Sequence, residues 1–184
     1  LERARTGAHK RWGLPDVVVA IKGGSGWAAK FAPHEIAELV KTFEDKPDLT
    51  LGILFCRPGT TQEGLLVAKQ TDESIAQEIV SLTDRSVKDI CAALSKEPCL
   101  KVAKRITVRV LDTAIIDSLC AYDPGYPENA VVTVDINIGW QRRPFPVISI
   151  ENSKEQRDAY DALMCRISFM WGLSKDMPRS VPAC

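Results

Sequence analysis

Two strand-length runs with almost no polar interruption constrain this chain more than any other feature. Asp16-Val-Val-Val-Ala-Ile-Lys22 and Leu49-Thr-Leu-Gly-Ile-Leu-Phe-Cys56 are nearly continuous in apolar residues. That pattern belongs to strands covered on both faces, as in a parallel sheet sandwiched by helices. Between them, Ile36, Leu39, Val40 and Phe43 recur at helical spacing behind Pro33, a residue that helices accept in their first turn. Lys46-Pro47-Asp48 ends that helix. A second helical stretch is predicted from Gln62 to Lys96, with Asp72 as a candidate N-cap and Ile75, Ile79, Leu82, Val87, Ile90, Cys91 and Leu94 on one stripe. A polar dip at Thr83–Ser86 predicts a break into two helices.

From Ile106 the period changes to two. Ile106–Leu111 alternates, Ile115–Tyr122 reads as a strand, and Pro124-Gly-Tyr-Pro127 as a turn. Ala130–Gly139 then sets Val132, Val134, Ile136 and Ile138 against Thr133, Asp135 and Asn137, a half-buried antiparallel strand. Pro146–Ile150 follows. Ser153 and Gln156 form a capping box before a helix with Tyr160, Leu163, Met164, Ile167, Met170 and Trp171 on one face. The predicted order is β-α-β-α-β-β-β-β-α, an α/β domain with a mixed sheet and helices on its faces. Residues 1–15 read as a basic arm or linker, 16–175 as the domain and 176–184 as a frayed tail.

Formal net charge is zero, so no global field draws the molecule to nucleic acid or to an acidic membrane. The first thirty residues are locally basic, with Arg3, Arg5, Lys10, Arg11, Lys22 and Lys30 against Glu2 and Asp16. A solvated linker is the favoured reading of that arm over a nucleic-acid contact. The opening Leu1 fits a domain taken from a longer protein. The six cysteines include no C-x-x-C pair. Cys56, Cys91, Cys120 and Cys165 lie in apolar patterns, where free thiols pack as small hydrophobes. With two histidines and no ligand spacing, no zinc site, metal or other cofactor is expected. A reducing, cytoplasmic setting is the expectation, with neither a membrane span nor a signal-peptide core in the sequence.

Val108-Arg109-Val110-Leu111-Asp112-Thr113, then Asp117-Ser118 and Ala121-Tyr122-Asp123, precede Pro146–Ile150 and a helix ending in Phe169-Met170-Trp171. This series resembles a phospholipase D-like half-domain, of the degenerate kind attached to regulators and defence proteins as sensor modules. The active family requires H-x-K-x-x-x-x-D, yet His9 and His34 are the only histidines and both lie near the N-terminus. Ser118 stands near the nucleophile position, without His or Lys beside it, and Asp123 persists. Phosphohistidine chemistry is excluded by composition. The resemblance therefore implies a binder that uses a relict site, and a homodimer, because the fold usually pairs two such halves.

A second, local resemblance begins at Trp12-Gly-Leu-Pro-Asp and runs through Lys22-Gly-Gly-Ser-Gly26. It is similar to the opening of the Rossmann-like nucleotide-sensing domains of melastatin-type channels and bacterial defence proteins. Gly24-Ser-Gly26-Trp-Ala-Ala29 satisfies G-x-G-x-x-A directly after a strand, where backbone N–H groups can approach a phosphate. Arg57 ends the second strand in place of an acidic residue and suits a phosphorylated ribose. The second Thr-Gly-Gly loop of that family is absent.

Arg142-Arg143 in a turn can clamp phosphate bidentately. Asp112 and Asp117 read better as turn-capping groups than as an acid–base pair. Cys56 lacks the downstream arginine of a C-x5-R phosphatase loop. The expected function is a ligand-sensing module for a phosphate-bearing small molecule or nucleotide, regulating an attached or partner effector. Lys22, Gly24, Gly26, Arg57, Ser118, Asp123, Arg142 and Arg143 are the candidate ligand-binding residues. The alternatives are a phosphodiesterase or nucleotide hydrolase, and a protein–protein interaction module with no ligand.

Overall fold

A computed structural model describes residues 12–21, 31–56, 73–112, 115, 118–123, 130–135 and 147–176. In chain order these form β1 (Val17–Ile21), α1 (Ile36–Asp45), β2 (Leu51–Cys56), α2 (Glu73–Leu94), β3 (Ile106–Leu111), β4 (Ser118–Tyr122), β5 (Val131–Asp135), β6 (Val147–Glu151), α3 (Arg157–Leu173) and β7 (Lys175–Asp176). The architecture is α/β, with one mixed seven-stranded sheet ordered β6-β5-β4-β1-β2-β3-β7. β1, β2 and β3 are mutually parallel. β4 joins β1 antiparallel, β5 and β6 continue antiparallel, and β7 pairs antiparallel with β3. The two-residue β7 is an addition to the elements expected from sequence.

The apolar runs lie at the centre of the sheet, and all six residues of β2 are buried. Successive strand residues point to opposite faces, so each run feeds two cores. Val19, Leu51, Ile53, Phe55, Ile106 and Val108 pack beneath Val40 and Phe43 of α1 and Val87, Ile90, Cys91 and Leu94 of α2. Val18, Ala20, Leu54, Cys56, Leu119, Ala121 and Val132 pack against Tyr160, Met164, Ile167 and Met170 of α3. Leu14, assigned by the sequence pattern to the N-terminal arm, is buried in this second core.

Several local expectations are corrected by the structure. α2 is one continuous helix through Thr83–Ser86. Both Thr83 and Ser86 are buried, and the Ser86 hydroxyl donates to the Leu82 carbonyl, so the polar dip is absorbed inside the helix. Cys165 lies on the outward face of α3 and is exposed, whereas Cys56 and Cys91 are buried. Asp176 belongs to β7 and not to a frayed tail. The capping box forms by half: the Gln156 N–H donates to Ser153 Oγ at 3.2 Å, but Gln156 Oε1 accepts from the Glu151 N–H at 2.7 Å. Asp72, Gln62–Thr71, Ile136–Gly139 and the tail from Met177 lie outside the described residues.

Two arginines, one just before β3 and one within it, tie helix C-termini to the sheet. Arg105, just before β3, donates through Nη1 to the carbonyls of Phe43, Lys46 and Pro47 at 2.7–2.9 Å. Arg109 donates to the Trp171 carbonyl at 2.9 Å and to the Ser174 carbonyl at 2.7 Å. Phe43 and Trp171 lie in the last turn of their helices and Lys46, Pro47 and Ser174 just beyond, where backbone carbonyls lack a full set of intrahelical donors; Trp171 O also accepts from the Ser174 hydroxyl at 2.7 Å. Each guanidinium also lies over an aromatic ring of its helix, Phe43 at 5.0 Å and Trp171 at 4.9 Å from the ring centre. Trp171 in turn rests on Gly52. A Cβ there would come within 2.5 Å of the indole and 2.9 Å of Pro15, so the apparent weak point of β2 is where the Trp171 ring of α3 packs onto the strand.

Candidate functional site

The strand registers bring the ends of six strands to one edge. Ile21 is level with Phe55, and Cys56 with Leu111. Ala20 is level with Leu119, which sets Ser118 beside the carboxyl end of β1. Ser118 pairs with Asp135, and Asp135 with Val147. The carboxyl ends of parallel β1, β2 and β3 thus share an edge with the start of β4, the end of β5 and the start of β6. Around β1 the order diverges, towards β2 and β3 on one side and towards β4, β5 and β6 on the other. Open α/β sheets bind ligands at the carboxyl ends of strands beside such a divergence.

Of the candidate residues, Ser118 is placed at this edge. Lys22, Gly24, Gly26, Arg57, Arg142 and Arg143 lie outside the described residues. In the sequence Lys22 follows Ile21 and Arg57 follows Cys56, while Arg142 and Arg143 belong to the connection between Asp135 and Val147. The described residues that flank those candidates in sequence, Ile21, Cys56, Asp135 and Val147, all lie at the edge that Ser118 occupies.

Asp123 is not brought there. It follows the opposite end of β4, roughly 17 Å from Ser118 at the ordinary rise of a strand. Its backbone has φ 48°, a left-handed conformation that aspartate tolerates better than most residues. Its N–H donates to the Asp16 carbonyl at 2.7 Å. Asp16 itself anchors β2, since its Oδ2 accepts from the Thr50 N–H at 2.8 Å and the Thr50 hydroxyl at 2.6 Å. Asp16, Thr50 and Asp123 thus lock the amino end of β1 to both neighbouring strands, leaving Ser118 and Asp123 in separate surroundings.

Behind Ser118, on the same face of β4, stand Cys120 and Tyr122. Burial pushes the Cys120 thiol up to about 11. A hydrogen bond with Cys120, reinforced by burial, pushes Tyr122 up to about 12. Both groups hold their protons at neutral pH, and Tyr122, level with Val17, stands at the opposite end of β4 from Ser118. Asp112, just beyond β3, has its Oδ2 3.7 Å from Lys175 Nζ. Asp117 lies outside the described residues. The sequence alone shows Asp135 only as a polar member of an alternating strand. Its pairing with Ser118 depends on a register that alternation alone does not give. Among the described residues no group of three or more His, Cys, Asp or Glu side chains could hold a metal ion, and no helix is long and apolar enough to cross a membrane.

What the fold and edge define is a class: an α/β protein whose mixed sheet presents the carboxyl ends of three parallel strands beside an antiparallel meander. No family model, curated protein or solved structure matches the chain.

Proposed function

We propose that this chain is a non-catalytic ligand-sensing module that binds a phosphate-bearing small molecule or nucleotide at the carboxyl edge of its parallel strands. The observation that carries the reading is the convergence of anchor points: Ile21, Cys56, Ser118, Asp135 and Val147 lie along one edge. The connections leaving them contain Gly24 and Gly26 with Lys22, Arg57, and Arg142 with Arg143. Glycines free backbone N–H groups for phosphate oxygens, and arginines pair with them bidentately. Ser118 adds a polar contact in this reading; Asp123, at the other edge, has no part in it.

The finer classification, a degenerate phospholipase D-type module, is supported by element order. The Arg109 strand, the strand opened by Ser118 and the helix carrying Phe169-Met170-Trp171 near its end occur in that order within one sheet and its covering helix. The same reading gives a cytoplasmic homodimer that acts on a fused or partner effector.

A thermal-shift panel of nucleotides, cyclic dinucleotides and sugar phosphates tests it. A specific ligand at a hundred times its dissociation constant stabilises the protein by about 2.7 kcal/mol. Arg57→Ala and Arg142→Ala abolish that shift, Ser118→Ala reduces it, and Asp123→Ala leaves it intact. Silence across the panel, or loss confined to Asp123→Ala, overturns the proposal.

A further inference from the structure

We draw no further inference here: the strongest candidate, the outward stripe of α3 formed by Ala162, Cys165, Phe169, Gly172 and Leu173, is an exposed apolar face, and nothing in the structure shows what covers it.

Discussion

Arg109→Ala is the substitution whose cost the structure specifies best. The side chain supplies two hydrogen bonds from a charged donor, at 2.9 Å to Trp171 O and 2.7 Å to Ser174 O. Bonds of that kind contribute about 1.5–3 kcal/mol each, but here they share one guanidinium and are not additive. The stacking over Trp171 adds about 0.5–1 kcal/mol. The ion pair with Asp176, at 2.9 Å, contributes little, because Asp176 is 76% exposed and water screens it. Truncation also lets water reach the freed carbonyls, which recovers part of the loss. The net expectation for Arg109→Ala is about 3 kcal/mol of destabilisation, a shift of roughly 6–12 °C for a domain of this size. Arg109→Lys recovers only about 1 kcal/mol, since an ammonium cannot fork between two carbonyls. Asp176→Asn stays within about 0.5 kcal/mol of the parent. Denaturant titration with an unchanged m-value measures all three variants. Two results would refute the reasoning: Arg109→Ala indistinguishable from the parent, or Asp176→Asn as costly as Arg109→Ala.

Gly52→Ala forces the Trp171 indole off β2 and costs about 1–3 kcal/mol as overpacking; near-UV circular dichroism reports the displaced ring, and an unaltered spectrum at unaltered stability contradicts the contact. Alkylation in a Cys184→Ser background labels Cys165 first and Cys56, Cys91, Cys99 and Cys120 slowly, because the last four are buried or half-buried. Mass spectrometry of the modified peptides checks that ranking, and early labelling of Cys91 would count against it. On raising the pH, the folded state keeps the protons of Cys120 and Tyr122 after the unfolded chain has released them. Their contribution is therefore complete below pH 9.0 for Cys120 and 10.0 for Tyr122, and is lost as pH rises through about 11 and about 12. Unfolding midpoints measured across this window fall more steeply in the parent than in Tyr122→Phe; equal slopes would show that Tyr122 does not titrate as described.

Much of the fold is legible in the sequence because the central strands are buried on both faces and say so in their composition. Val17–Ile21 and Leu51–Cys56 were recognisable as strands without any knowledge of their partners. The switch of period at Ile106 likewise announced the antiparallel half. What escaped was whatever depended on pairing. β7 is two residues long, too short for any periodicity, and exists because Arg109 and the edge of β3 hold it. The continuity of α2 through Thr83 and Ser86 is hidden because buried hydroxyls look like breaks until a partner such as the Leu82 carbonyl of Ser86 is known. At the candidate edge, the order of elements gives Ser118 a place at a strand end, and only the register shows that this end lies beside the carboxyl end of β1. Its separation from Asp123 follows from strand direction and length, and the part played by Asp123 follows from a backbone bond to Asp16 that no motif encodes.

The placement of β1 has a consequence for how the chain is assembled. It hydrogen-bonds to β2, a short distance along the sequence, and to β4, where Val17 meets Tyr122 more than half the chain later. During synthesis from the N-terminus, β1, β2 and β3 emerge with their crossover helices while the Val17–Ala20 edge still lacks its β4 partner. An unpaired central edge is a template for the wrong strand. β4, β5 and β6 form a local meander that reaches β1 through a long-range closure, the slow kind of step. Chains shortened before β4 would expose the sheet at its middle, and their propensity to aggregate would record how long a nascent chain must wait for that partner.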